Sequence, residues 1–233
     1  MKPRITKPAP AARRRVLLVD DHPMMLAGLA QLIRLQSDLE VCGETGEPAQ
    51  ALRAITKCRP DLLLTDLTMP GRSGTEFIKD VLAAHAGLPI LVVSMHDELL
   101  HAERVLRAGA RGYVMKEAGG EKLLAAIRQV LAGQVYVSEQ MSARILDSFS
   151  GQRPRGAQSP IEKLSDREFE VFQLIGAGRT TKEIAAQLHL SPKTVDVHRG
   201  HIKEKLALKD MTALVHHAVR WTETGTGRPP PPR

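Results

Sequence analysis

The chain has 233 residues, 42% apolar, 25% charged and only 3% aromatic, with a formal net charge of +7, so a soluble protein of about two domains with aliphatic cores is expected. No run of about 18 apolar residues occurs, which excludes a membrane span, and the basic N-terminus lacks the apolar stretch of a signal peptide, so a cytoplasmic location is expected. Two cysteines, Cys42 and Cys58, are too few for a disulfide framework and read as buried free thiols.

Residues 1–13, rich in Lys, Pro, Ala and Arg, read as a disordered basic tail. Strand and helix patterns then alternate. Val16–Val19 is an apolar strand and Pro23–Leu35 is helical in period. Leu39–Gly43 and Pro48–Lys57 repeat that pair, as do Leu62–Asp66 and Gly74–Ala84. Pro89–Ser94 with Glu98–Ala108, and Gly112–Met115 with Gly119–Ala132, complete the series. Five such units predict an α/β, doubly wound, five-stranded parallel sheet over residues 14–134, with helices on both faces. Residues 135–162 read as a terminal extension and linker, because Ser148–Glu162 is rich in Gly, Ser, Pro, Gln and Arg. Residues 163–222 are helical throughout and predict a small all-α domain, and residues 223–233 read as a second tail.

Charge is unevenly placed. Residues 16–147 carry 13 Lys/Arg against 17 Asp/Glu, and residues 148–233 carry 14 against 9. The acidic middle and basic C-terminal part point to a polyanion as partner of the second domain, although charge alone is weak support.

Asp66 ends an apolar run bounded by Pro60 and Pro70-Gly71, so it sits at the carboxyl end of a buried parallel strand, where open α/β sheets place their chemistry. Asp20 and Asp21 end the first strand, Ser94 the fourth, and Lys116 follows the fifth. Two carboxylates about 4 Å apart repel by about 4 kcal/mol at an effective dielectric near 20. Three therefore require a counter-charge: either a hard divalent cation, for which Mg²⁺ fits best, or Lys116. Each residue alone has an ordinary structural reading; the signal is that four of five strand ends offer groups that phosphoryl chemistry uses.

The motifs Val-Asp-Asp-His-Pro (19–23), Asp-Leu-Thr-Met-Pro-Gly (66–71), Val-Val-Ser-Met-His (92–96) and Gly-Tyr-Val-Met-Lys (112–116) resemble the receiver domain of two-component response regulators, a flavodoxin-like fold. The resemblance implies that Asp66 is the phospho-acceptor. It implies that Asp21, Asp66 and the backbone carbonyl of Thr68 ligate Mg²⁺, with Asp20 acting mainly through water. Ser94 is then the hydroxyl that meets the phosphoryl group and Lys116 its cationic partner. Tyr113 reads either as an aromatic packed on a helix or, by the resemblance, as a switch that moves inward with Ser94.

In the C-terminal part, Ser165 with Glu168 forms a capping box ahead of an apolar face of Phe169, Phe172, Leu174 and Ile175. Thr181 is expected to cap the next helix, Lys182–Leu188. Ser191-Pro192 is an N-cap followed by Pro at the first helical position of Pro192–Leu206, and Met211–Trp221 closes the domain. Two helices around a tight turn make a helix-turn-helix. The matches Leu164–Glu168, Lys182–Ala186, Leu190–Val195, His198-Arg199 and Lys205-Leu206 resemble the LuxR/NarL/FixJ-type output domain. The resemblance implies phosphate contacts from Lys182, Thr194, Arg199 and Lys205, and places Lys193, Val197 and Gly200 near bases. Asp196 would repel phosphate or accept from a cytosine amino group. Gly200 costs about 1 kcal/mol within a helix and removes a reading side chain.

The expected function is a phosphorylation-dependent DNA-binding transcriptional regulator, served by a sensor histidine kinase and Mg²⁺. It would act as a homodimer on double-stranded promoter DNA, with RNA polymerase as a further partner and no membrane contact. A regulator that binds DNA independently of phosphorylation, with the receiver as a protein-interaction module, is the alternative. An aspartyl-phosphate phosphatase is disfavoured because its second Asp is replaced here by Thr68, so no enzymatic turnover is expected beyond self-phosphorylation and autodephosphorylation.

Overall fold

A computed structural model describes residues 13–69, 72–149 and 160–224. Of the expected tails and linker, residues 1–12, 150–159 and 225–233 lie outside these residues; residues 223 and 224, expected in the tail, belong to the last helix. The first domain runs β1 (Arg14–Val19), α1 (Pro23–Arg34), β2 (Leu39–Thr45), α2 (Pro48–Cys58) and β3 (Leu62–Thr65). A short hairpin of β4 (Thr68–Met69) and β5 (Arg72–Ser73) follows, then α3 (Gly74–Ala84), β6 (Ile90–Ser94), α4 (Glu98–Arg107), β7 (Gly112–Met115) and α5 (Gly120–Leu131).

The five long strands form one parallel sheet in the order β2-β1-β3-β6-β7. Strand order reverses between β1 and β3, so a crevice opens at their carboxyl ends. Both sheet faces are covered, which is why β1, β3 and β6 read as apolar runs rather than alternating ones. Phe77, Ile78 and Val81 of α3, Ala102 and Val105 of α4, and Ala51 and Ile55 of α2 cover one face. Leu29, Ala30 and Ile33 of α1 and Leu123, Ala126, Ile127 and Val130 of α5 cover the other. Each fully buried Leu, Ile or Phe contributes about 1.5–3 kcal/mol by leaving water. Cys42 and Cys58 are free and half-buried, and the Cys58 thiol donates to the Cys42 carbonyl at 3.0 Å.

A helix that sequence patterning does not predict, α6 (Glu139–Phe149), follows. The Ser138 hydroxyl accepts from Met141 N at 3.1 Å, which caps its start. Met141 is buried against the first-domain core, and the Arg144 guanidinium donates to the Leu99 carbonyl at 2.9 Å. Among its residues with described side chains, Met141 and Ile145 pack on the first-domain core, and Leu146 is exposed.

The second domain begins at a 3₁₀ turn, Pro160–Lys163, whose Ile161 is already in the core. It continues with α7 (Asp166–Gly176), α8 (Thr181–Gln187), α9 (Pro192–Lys205) and α10 (Met211–Thr224). Phe169 and Phe172 meet Trp221 edge-on, at centroid distances of 5.4 and 5.7 Å. The capping box of Ser165 and Glu168 and the Ser191 N-cap form as expected. Thr180, not Thr181, caps α8: its hydroxyl and Glu183 make a second capping box. A capping box needs Glu three residues on, and Thr180 has that spacing to Glu183.

Candidate functional site

Parallel register sets the pocket. Val19 pairs with Thr65, Thr65 with Val92, and Ser94 with Met115. Asp20, Asp66, Ser94 and Lys116 therefore emerge side by side. The Lys116 ammonium lies 2.7 Å from Asp20 Oδ2 and 2.8 Å from Asp66 Oδ2, with all three side chains almost wholly buried. Leu67 N donates to Asp66 Oδ1 at 2.6 Å and fixes the carboxylate's orientation. The loop behind it is held tight against α3: a Cβ on Gly74 would stand 2.2 Å from the Leu67 carbonyl oxygen.

Two carboxylates against one ammonium leave the pocket with net negative charge. Burial, aided by Asp20, raises the Asp66 pKa despite the opposing Lys116. Burial alone would lower the Lys116 pKa, but its bonds to Asp20 and Asp66 outweigh this and raise it.

Ligand atoms of Asp20, Asp21, His22 and Asp66 lie within 4.8 Å of one another. Asp21 Oδ1 is buried without a hydrogen bond, His22 Nδ1 standing 2.7 Å away outside bonding geometry. Hard carboxylate oxygens, an unsatisfied one among them, and an uncompensated negative charge fit Mg²⁺. Thr68, whose carbonyl is the further expected donor, opens the hairpin directly after the site.

Ser94 is fully buried, and its hydroxyl accepts from His96 N at 3.3 Å. Tyr113 is also fully buried and donates to the His96 carbonyl at 2.8 Å. The ring is thus packed in the core and engaged at the rim together. His96 Nε2 lies 2.7 Å from Thr68 Oγ1. Burial lowers the His96 pKa. Sequence reasoning gave His96 no role, though its position two residues beyond Ser94 on a strand-end loop was the available signal.

On α9, Val195 and Ile202 are buried, while Lys193 and Val197 face solvent and a Cβ on Gly200 would meet nothing within 4 Å. Lys182 on α8 is exposed as well. Thr194 is half-buried, with its hydroxyl 2.7 Å from that of Ser191. The other two expected phosphate contacts, half-buried Arg199 and the more exposed Lys205, hold partners within the protein. The Arg199 guanidinium donates to Thr181 Oγ1. The Lys205 ammonium bonds Glu168 Oε2 at 2.6 Å, and Glu168 is buried. Burial would raise the Glu168 pKa, but the bonds to Lys205 and Ser165 lower it.

The two domains meet where α3 and α4 face α7. The Arg104 guanidinium donates to the carbonyls of Leu164 at 2.9 Å and Ile161 at 2.8 Å, and lies 4.2 Å from the Phe169 ring centroid. Asp166 pairs with Lys79 at 3.1 Å and approaches Arg104 at 3.4 Å. Burial alone would raise its pKa, but bonds to Thr75 and Lys79 lower it. These joint residues have no local sequence signature, because Arg104 and Asp166 read as ordinary helix-surface charges.

Comparison with known families matches residues 16–128 to the response regulator receiver domain and residues 162–218 to bacterial regulatory proteins of the luxR family. The oxygen regulatory protein NreC of Staphylococcus carnosus is 34% identical over 210 residues, covering 88% of this chain and 97% of that protein. NreC of Staphylococcus aureus is 35% identical over the same shares. Among solved structures, RcsB of Salmonella enterica serovar Typhimurium, bound to a promoter in the presence of the phosphomimetic BeF₃⁻, matches with a TM-score of 0.62 at 25% identity, over 90% of this chain and 100% of that one. A structure with two RcsB dimers bound to two parallel DNAs matches with a TM-score of 0.54 at 27% identity, over 88% of this chain and 97% of that one.

Proposed function

The chain belongs to the two-component response regulators of the NarL type, with a receiver and a LuxR-type DNA-binding domain, and on that premise we propose that phosphorylation of Asp66 controls its binding to promoter DNA. The observation that carries this reading is the Lys116 ammonium, buried and bonded to both Asp20 and Asp66 at the switch point of the sheet. Leu67 N holds Asp66 Oδ1, so Oδ2 is the oxygen turned toward Lys116. In the proposed transfer, an Asp66 oxygen bonds phosphorus as the P–N bond of a kinase phosphohistidine breaks, its electron pair leaving with nitrogen. The Lys116 ammonium and the Ser94 hydroxyl then turn to the phosphoryl oxygens. Asp21, Asp66 and the Thr68 carbonyl would hold Mg²⁺, with Asp20 through water; bound there, the ion supplies positive charge opposite the phosphoryl oxygens.

Phosphorylation can shift the receiver only through differential affinity for two states. In the proposed resting form, α4 grips α7 through Arg104 and Asp166. The shifted form releases the second domain to bind as a dimer on two half-sites, with α9 in the major groove. RcsB, solved on promoter DNA with a phosphomimetic and as dimers on DNA, supports the dimeric mode. The reading includes a sensor histidine kinase as donor, contact with RNA polymerase, a cytoplasmic site of action and no turnover beyond self-phosphorylation and autodephosphorylation. Among the described residues, no helix is long and apolar enough to cross a membrane.

The test is incubation with a small phosphoryl donor and Mg²⁺, followed by phosphate-affinity electrophoresis and DNA-retention assays. Wild type is expected to gain one phosphoryl group, dimerise and bind DNA more tightly, and Asp66→Asn to do none of these. An unchanged DNA affinity on phosphorylated protein would favour the phosphorylation-independent regulator.

A further inference from the structure

We propose that the joint between the receiver and the DNA-binding domain is pH-sensitive: it closes on a neutral His101 and loosens when acidification protonates that ring. His101 lies on α4 and is 6% exposed. One side stacks on His96, centroids 4.8 Å apart, and the other meets Phe169 of α7 at 5.4 Å. Its Nε2 lies 2.9 Å from Gln173 Nε2, also on α7. An amide nitrogen only donates, so this contact requires an unprotonated Nε2 on His101. A protonated ring would set two donors against each other beside a buried ring.

The surrounding charges act in the same sense. From the β6–α4 loop His96, and from α4 itself Arg104, both disfavour a charge on His101. The joint's carboxylates are engaged elsewhere. Asp166 is held by Thr75, Lys79 and Arg104. Glu170 of α7 is held by Arg167 and Ser73, and Glu98 accepts from Ser138 N. Burial, followed by the charges of His96 and Arg104, pushes the His101 pKa down to about 3. A released ring returns to an ordinary value of about 6.5. The docked form is therefore undiminished above that value and loses ground as pH falls below it. Between pH 7.5 and 5.5 the docked-to-undocked ratio is expected to fall about tenfold. Glu170 acts in the opposite sense, because burial raises its pKa in the joint, so the His101 contribution is read from a variant that leaves Glu170 in place. No phosphorylation is needed for this equilibrium, so the inference stands apart from the reading of Asp66.

The experiment is an NMR titration of the full-length, unphosphorylated chain, following the His101 ring and the amides of Phe169 and Gln173 from pH 7.5 to 5.0. The His101 midpoint is expected at least one unit below 6.5 in wild type and close to 6.5 in Arg104→Ala, which breaks the clamp on α7. In His101→Phe, which keeps a stacking ring without a titrating nitrogen, the acid-induced shifts of the joint amides are expected to shrink. A wild-type midpoint at or above 6.5 would overturn the proposal; that is the outcome if the Gln173 amide oxygen, not its nitrogen, meets the ring. Equal acid-induced shifts in wild type and His101→Phe would overturn it too, and this comparison stands whether or not Arg104→Ala folds.

Discussion

In the receiver pocket the Lys116 side chain is 3% exposed and fixed between two carboxylates, whereas on α9 Lys193 projects into solvent and the Asp196 side chain is 65% exposed. The pocket stores charge at a structural cost and keeps it poised for a ligand that brings charge of its own. The α9 face stores little, because its free cations are hydrated until a polyanion arrives. The output domain, however, is not uniform in its cations. Lys205 stands between the two, partly exposed yet bonded to the buried Glu168, while Lys193 and Lys182 belong to the open type. A basic residue in a DNA-binding motif is therefore not by that fact a DNA contact.

Substitutions can break this division. The largest effect is expected from Lys116→Met, which leaves Asp20 and Asp66 buried without their cation. A loss of about 3 kcal/mol is expected for such a broken buried pair, measured by urea unfolding, with millimolar Mg²⁺ restoring much of it. A loss no greater than that of an exposed lysine would show that the pocket charge is not strained.

The next effect concerns protons against metal. Because burial and Asp20 raise the Asp66 pKa, its carboxylate takes up a proton at a higher pH than an ordinary one. Mg²⁺ must displace that proton, so its affinity is expected to be level above the raised pKa. Below it, affinity falls by up to about tenfold per pH unit. Calorimetric titration across pH 4 to 8 measures this, and an Asp66→Asn variant should lose most of the dependence.

Lys205→Ala is expected to cost about 1 kcal/mol of stability, because Glu168 keeps its burial but loses its ammonium; partial exposure of Lys205 limits the figure. Its pH dependence carries a definite sign. The Glu168 pKa is lowered in the fold, so the stabilisation is present above the ordinary glutamate pKa and is lost as pH falls through the lowered value. Thermal unfolding of wild type and Lys205→Ala should therefore converge under acid. The smallest effect on stability, within about 0.5 kcal/mol, is expected for Lys193→Ala. That variant should instead weaken DNA binding, and if its ammonium meets phosphate the salt slope should drop by about one. If Lys205→Ala changed the salt slope and left stability intact, the distinction between the two lysines would collapse.

The placement of the first domain's polar groups was legible because each follows an apolar run. Asp20 after Val16–Val19, Asp66 after Leu62–Thr65 and Lys116 after Gly112–Met115 mark strand ends without any structure. Caps were legible for the same reason where spacing is strict, as at Ser165 with Glu168. The near miss at Thr181 came from adjacent threonines, only one of which has Glu183 at the required distance. Helix α6 went unread although Met141, Ile145 and Phe149 recur at four-residue spacing, because the segment runs straight into a Gly/Ser/Pro-rich stretch; the contacts of Ser138 and Arg144 with α4 hold it.

Sequence by itself determined the fold class, the alternation of the five long strands with their helices, the four helices of the second domain and the set of side chains at the strand ends, because hydrophobic period and turn chemistry are local properties. Only the tertiary structure decided that Lys116 bridges Asp20 and Asp66, that Lys205 serves Glu168, and that Arg104 and His101 belong to a joint between domains. Those assignments depend on which surfaces meet across long separations in the chain. Burial and electrostatics at such a meeting are properties of the pair, and neither partner's local sequence carries them.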